Sequence, residues 1–165
     1  MTESIVILPA RLEWAESFRL CVDSVASERK YFLMTEAPPL DKVREFLGKM
    51  SNLGHPHYFA LKGSKVVGWC NVKRMEGIPR GHVGELSMGL DRQYRGQGLG
   101  KRLVMSALRE CRLLDYHKIE LTVFADNSRA IRLYESTGFE PEGRLKDYAR
   151  HAEGFRDAIL MGQLL

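Results

Sequence analysis

The eight residues Arg95-Gly96-Gln97-Gly98-Leu99-Gly100-Lys101-Arg102 constrain this chain more than any other stretch. They stand between a predicted strand, His82 to Leu90, and a predicted long helix. In that helix Leu99, Leu103, Ala107, Leu108, Cys111 and Leu114 recur at three- and four-residue spacing and form one buried stripe. Glycines let successive backbone N–H groups curl inward and approach a ligand without side-chain interference. The start of a helix adds unpaired N–H groups and a partial positive charge. Together they suit a phosphate or pyrophosphate, with Arg95 and Lys101 adding charge to the same anion. A tight turn without a ligand is the plain alternative. Two nucleotide motifs fail here. A P-loop would need glycine at position 95 and Ser or Thr at position 102, and both are arginine. The dinucleotide fingerprint needs G-x-G-x-x-G, whereas this loop has Gly96-x-Gly98-x-Gly100.

Periodicity orders the rest. Ser4 to Leu8 is an apolar run ended by Pro9 and reads as a strand. Trp14, Phe18, Cys21, Val22 and Val25 have helical spacing within Leu12 to Ala26, and a second helix runs from near Asp41 to before Gly54. Tyr58 to Leu61 and Lys65 to Val72 form a hairpin about Gly63-Ser64. Lys118 to Phe124 is a strand, and Asn127 to Thr137 a helix stopped by Gly138. Phe139 to Ala149 and Phe155 to Leu164 are closing strands. The order β-α-α-β-β-β-α-β-α-β-β predicts a mixed α/β sheet with helices on its faces. No repeat or linker divides the chain, so residues 1–165 are expected to form one domain.

A net charge of +4 permits an anionic ligand without requiring nucleic acid. The basic residues cluster on one loop, without an aromatic, strand-borne platform for bases. No apolar run approaches the roughly 20 residues of a membrane span, and Met1-Thr2-Glu3-Ser4 lacks the basic start of a secretory signal. Cys21, Cys70 and Cys111 are odd in number and widely spaced, so reduced thiols in a cytoplasmic setting are expected. Cys111, Trp14 and Phe18 read as core residues. His55-Pro56-His57 reads as a surface loop, since two histidines without a third ligand do not make a metal site.

Arg95-x-x-Gly98-x-Gly100 resembles the R/Q-x-x-G-x-G/A loop by which GNAT-superfamily N-acetyltransferases hold the pyrophosphate of coenzyme A. Gly84 to Asp91 is similar to the family's central strand, and Asn127 to Phe139 resembles its N-x-x-A-x-x-L-Y-x-x-x-G-F signature. Motif detail covers residues 82 to 139, and the element order extends the likeness along the chain. Residues 119–127 are similar to members that acetylate free amino acids or other small amines. The resemblance implies a GNAT-like mixed, mostly antiparallel central sheet of about seven strands flanked by about four helices. It also implies transfer of an acetyl group from acetyl-CoA to a primary amine, by direct attack on the thioester. An amino acid or polyamine is the expected acceptor. A protein N-terminus and a non-catalytic acyl-CoA sensor are the alternatives, and a homodimer is common among such proteins.

Residue by residue, the resemblance implies that backbone groups of Met88 and Leu90, on either side of Gly89, pair with the pantetheine arm. Main-chain N–H groups of Arg95, Gly96, Gln97, Gly98, Leu99, Gly100 and Lys101 hold the pyrophosphate. Asn127 hydrogen-bonds the cofactor, or is simply a helix N-cap. Tyr134 lies two helical turns along the same face, beside the sulfur, where its phenol protonates the departing thiolate; otherwise it only packs on the sheet. Glu85 is the candidate base, through a water. Some relatives use a glutamate five residues before the asparagine, but that position here is Thr122. Glu120, on the same strand face, is the second candidate. A backbone N–H near Met88 would serve an oxyanion. Glu28 and Glu36 fall in the region that lines the family's acceptor pocket, where a carboxylate would attract a cationic amine; as surface charge they would do nothing further.

Overall fold

Every residue from Val66 to Val72 is buried, so this strand must be covered on both faces. That alone places it near the middle of a sheet with layers packed on either side. A computed structural model describes residues 4–165 and confirms the arrangement. Residues 1–3, which begin the segment read above as lacking a secretory start, lie outside the described residues. In chain order the elements are β1 (Ile5–Pro9), α1 (Ala15–Ala26), α2 (Leu40–Asn52), β2 (His57–Lys62), β3 (Lys65–Arg74) and β4 (Val83–Leu90). They continue with α3 (Leu99–Leu113), β5 (Lys118–Phe124), α4 (Ser128–Glu135), β6 (Glu140–His151) and β7 (Gly154–Leu164). The order matches the predicted one. Short 3-10 turns at Leu12–Trp14, Ile78–Arg80 and Arg92–Tyr94 are additions that periodicity did not reveal. No helix among the described residues is long and apolar enough to cross a membrane.

The seven strands lie in the order β1-β2-β3-β4-β5-β7-β6. Neighbours are antiparallel except β4 and β5, which run parallel. Their register extends only from Val83 through Gly84 to Glu85, opposite Lys118 to Glu120. β4 continues to Leu90 and β5 to Phe124 without further pairing, so the two strands part and leave a wedge in the sheet.

Alternation along the strands assigns the faces. Trp69 pairs with Gly89, Asn71 with Ser87, Lys73 with Glu85, and Glu85 with Glu120. Paired residues share a face, and Trp69 belongs to the cluster of Phe18, Val22, Val43, Leu47 and Phe59 under α1 and α2. Glu85, Ser87, Glu120 and Thr122 therefore lie on the α1/α2 face. Leu86, Ile119 and Leu121 face the other way, into the cluster with Leu103, Val104, Leu108, Tyr134 and Phe139 under α3 and α4. Phe18 and Cys111 are buried as expected, and Trp14 packs against the first cluster.

The histidine pair departs from its expected surface loop. Pro56 is fully buried, and His57 opens β2 with 7% of its surface exposed. Its ring meets Phe59 at 5.0 Å, Phe18 at 5.4 Å and Phe46 at 5.8 Å, edge to face. The aromatic cluster absorbs the imidazole as another ring. Burial pushes the His57 pKa down to about 3.

An unfolded chain protonates this histidine near pH 6.5, the folded chain only near pH 3. Between those values only the unfolded state binds the proton. His57 thus contributes fully above pH 6.5, and each unit below it removes about 1.4 kcal/mol of stability. Replacing it in His57→Phe is expected to flatten the loss by about 2 kcal/mol between pH 7 and pH 5 in urea unfolding. Parallel stability curves for the two proteins would contradict a neutral buried imidazole.

Candidate active site

The wedge between β4 and β5 opens into a cleft of about 630 Å³. Its walls are Glu85 to Leu90 of β4, Thr122 to Phe124 of β5, the glycine loop, the start of α4, and Tyr31-Phe32-Leu33-Met34 from the α1–α2 connection. Residues from both faces of the sheet line it. The cleft therefore runs through the sheet rather than lying on one side.

The glycine loop begins with the 3-10 turn Arg92–Tyr94, capped by the Asp91 carboxylate, which accepts the Gln93 N–H at 3.1 Å. Gly96 and Gly98 both have φ +77°, a left-handed conformation costly for any residue with a Cβ. Gly98 is the N-cap of α3, and no side chain caps this helix. The Arg102 N–H donates to Gly98 O at 3.2 Å, which leaves the preceding N–H groups of the first turn without helical partners. A Cβ at Gly98 would meet nothing within 4 Å, so the main chain here is open to the cleft. At Gly100 a Cβ would come 2.9 Å from Leu133 Cδ2, because α3 and α4 approach closely at this point.

Gly96, Gly98, Gly100 and Lys101 line the cleft as expected. Gln97 turns its side chain outward to donate to Gln93 O at 3.2 Å, and Leu99 is buried in the core. Only their main chains remain for a ligand.

Arg95 also lines the cleft, with its guanidinium engaged by Glu28. Its charge does not stand free beside the glycines. The guanidinium grips both oxygens of Glu28, with Nη1 donating to Oε2 at 3.1 Å and Nη2 to Oε1. Its Nε donates to Leu90 O at 2.9 Å, and its Cζ lies 4.9 Å from the Tyr31 ring centroid. A part-buried guanidinium needs a carboxylate, and Glu28 supplies it. Glu28 is accordingly not a free attractor for a cationic amine. Glu36 is exposed and does not line the cleft.

Asn127 caps α4, its Oδ1 accepting the Ala130 N–H at 3.2 Å. It also lines the cleft, where its side-chain NH₂ remains a donor. Tyr134 is 8% exposed, lines the cleft and meets Phe139 edge to face at 5.9 Å. Burial, with a smaller contribution from Cys70, pushes its phenol well above the usual tyrosine range. It stays protonated throughout the neutral range. The packing and proton-donor readings of Tyr134 are compatible, since one uses the ring and the other the hydroxyl.

The two candidate bases are cross-strand partners in different surroundings. Glu85 is exposed on the cleft wall near Thr122. Glu120 sits across from it on β5, but its carboxylate is held by Arg80 and does not line the cleft. Met88, Gly89 and Leu90 all line the cleft, on the strand edge that β5 abandons. No group of three or more metal-ligating side chains is present among the described residues.

Sequence reasoning missed Arg129, and it placed the region between α1 and α2 at the acceptor pocket through Glu28 and Glu36 rather than through Tyr31–Met34. The Arg129 guanidinium lies 3.1 Å from where a Cβ on Gly96 would stand, over the loop. A clue existed: a cation in the first turn of a helix opposes the macrodipole, and a nearby anion would offset that cost. The wall residues form an apolar run too short for periodicity to assign. Phe124 and Tyr148, 6.1 Å apart edge to face, extend the wall.

A family model described as the acetyltransferase (GNAT) family matches residues 20–139. The chain is 33% identical over 100 residues to the L-amino acid N-acetyltransferase of Escherichia coli, covering 60% of this chain and 62% of that protein. It is 36% identical over 100 residues to an N-alpha-acetyltransferase of Mycobacterium tuberculosis, covering 58% and 60%. The match thus spans about three fifths of these curated relatives. An acetyltransferase of the GNAT family from Streptococcus pneumoniae superposes with TM-score 0.92 at 25% identity, covering 98% of this chain and 100% of that one. A phosphinothricin acetyltransferase from Sinorhizobium meliloti, in complex with acetyl-CoA, has TM-score 0.90 at 19% identity, covering 100% and 89%; at that identity the likeness is one of fold.

A methyl group at Gly98 would be strained by the backbone and crowded by nothing. Gly98→Ala is therefore expected to cost about 1–2 kcal/mol and lower the thermal midpoint by about 3–6 °C. An unchanged midpoint in calorimetry would mean that the loop does not need this left-handed residue.

Proposed function

The chain belongs to the GNAT acetyltransferase family, and from that premise we propose that it transfers an acetyl group from acetyl-CoA to the nitrogen of a primary amine. The observation that carries this reading is one cleft holding both a glycine loop with uncapped N–H groups and a buried, protonated phenol, Tyr134.

The residues present fit the cofactor. The unpaired edge of β4 from Met88 to Leu90 suits the amides of a pantetheine arm, as an added strand suits a sheet edge. The first turn of α3 suits a pyrophosphate, with Lys101 and Arg129 as the nearby cations. When bound, acetyl-CoA supplies the thioester that the amine attacks. Asn127, through its free NH₂, steadies the cofactor at the start of α4.

A lysine-type amine with pKa about 10.4 is neutral in roughly one molecule in a thousand or fewer at pH 7, whereas an α-amine of pKa about 7.7–8.0 is about a tenth neutral. Glu85, the carboxylate on the cleft wall, accepts the ammonium proton through a water. Glu120 is the weaker choice because Arg80 already holds it. A main-chain N–H near Met88 faces the charge that develops on the carbonyl oxygen. The Tyr134 hydroxyl then gives its proton to the departing sulfur.

A small amine such as an amino acid is the leading acceptor, supported by the likeness to the Escherichia coli L-amino acid N-acetyltransferase. The likeness to the mycobacterial N-alpha-acetyltransferase favours a second reading, a protein N-terminus. Thiol release from acetyl-CoA, measured against a panel of amino acids, polyamines and short peptides, separates the two. No release with any of them would favour a protein that only senses acyl-CoA. In the same assay Tyr134→Phe is expected to lower turnover about 10²–10⁴-fold, with acetyl-CoA affinity within about twofold of the unaltered protein. Full turnover in the variant would leave Tyr134 a packing residue only.

A further inference from the structure

The charges that line the cleft are unevenly shared between its two ends. Lys101 and Arg129 stand at the glycine loop, and Arg95 beside them is engaged by Glu28. On the α1/α2 face the lining residues of β4 and β5 are Glu85, Ser87, Gly89, Thr122 and Phe124, by alternation along the strands. Glu85 is the one charged side chain of these five. Arg156 lies over Phe124, with Cζ 4.0 Å from the ring centroid, but it does not line the cleft. Its guanidinium is already engaged by the Asp126 carboxylate and by Lys30 O.

The walls around that carboxylate are apolar and aromatic. Gly89 leaves the space that the Trp69 indole fills, since a Cβ there would run into the ring. Phe32 leans on the indole, with 5.8 Å between ring centroids and 33° between planes. Tyr148 of β6 meets Phe124 edge to face at the opposite wall. Leu33 and Met34 form the rim, with 66% and 46% of their surface exposed. Large apolar side chains so exposed at the mouth of a cleft gain from being covered by a ligand.

From this arrangement we infer that the acceptor is an arylalkylamine, a primary amine on an aromatic body with no carboxylate beside the nitrogen. The inference rests on the acetyl-transfer reading above and names the substrate class for the same cleft. Glu85 complements the ammonium of the incoming amine, and Phe32, Leu33, Met34 and Tyr148 offer their apolar surface to its body. A free amino acid would bring its own carboxylate to the vicinity of Glu85, with no cation lining that end to offset it. A polyamine would bring a second ammonium, to be desolvated against apolar walls. Within the small-amine reading, the cleft therefore selects the amine that lacks both.

Phenethylamine, L-phenylalanine, L-phenylalaninamide and putrescine are the probes that separate these cases. The amide keeps the skeleton of phenylalanine and removes its negative charge. With acetyl-CoA saturating, kcat/KM for phenethylamine and for the amide is expected to exceed that for phenylalanine and for putrescine by about tenfold or more. Thr122→Arg, which sets a cation on the same face as Glu85, is expected to raise kcat/KM for phenylalanine about tenfold relative to its amide. Leu33→Ser, at an exposed position that the core does not need, is expected to raise the KM for phenethylamine about threefold, with coenzyme A affinity within about twofold. Calorimetry on the protein loaded with coenzyme A needs no turnover, and there phenethylamine should bind about tenfold more tightly than phenylalanine. If none of the probes is acetylated, the transfer reading fails while the calorimetry still decides the acceptor class. Equal kcat/KM for phenylalanine and its amide would overturn the inference. So would a lead for putrescine, or calorimetry in which phenethylamine binds no better than phenylalanine or not at all.

Discussion

The structure depends on how briefly β4 and β5 stay together. After three residue pairs the parallel register ends, although both strands continue for several residues more. In the interior of a sheet, abandoned N–H and C=O groups are costly unless something pairs with them. Here the abandoned edge lines a cleft, and the glycine loop and α4 stand at its rim. The family's cofactor has amides that can complete such an edge, so the break in pairing and the proposed binding mode are two aspects of one geometric fact.

Two carboxylates illustrate how environment separates roles that composition makes equal. Glu85 and Glu120 are cross-strand partners on one face. Arg80, delivered by the 3-10 turn Ile78–Arg80, takes the charge of Glu120 and leaves Glu85 on the cleft. The same logic applies to Arg95. Proximity in sequence to the glycines suggested a phosphate contact, but a part-buried fork onto Glu28 is a stronger local solution for its guanidinium. Such pairings depend on residues 40 and 67 positions apart, and no local spacing rule encodes them.

Much else was legible along the chain. Every helix and strand was anticipated in order, because apolar spacing at three to four residues or at two reports directly on which face is buried. Gly138 marked the end of α4 and has φ +100°. The loop from Arg95 to Arg102 was readable because left-handed glycines and a helix start are local chemistry. What stayed hidden was which residues the connections supply. Tyr31 to Met34 form part of the cleft only because the chain folds back across it, and Arg129 matters only because α4 approaches Gly96. His57 misled for a related reason: its three aromatic neighbours come from α1, α2 and β2.

The cleft is bounded by side chains from both surfaces of the sheet. On the proposed reaction, the bulky nucleotide-bearing molecule would enter from the side of the glycine loop and the start of α4, and the amine from the side of the α1–α2 connection. Each then has its own doorway, and the two meet only where the strands have come apart.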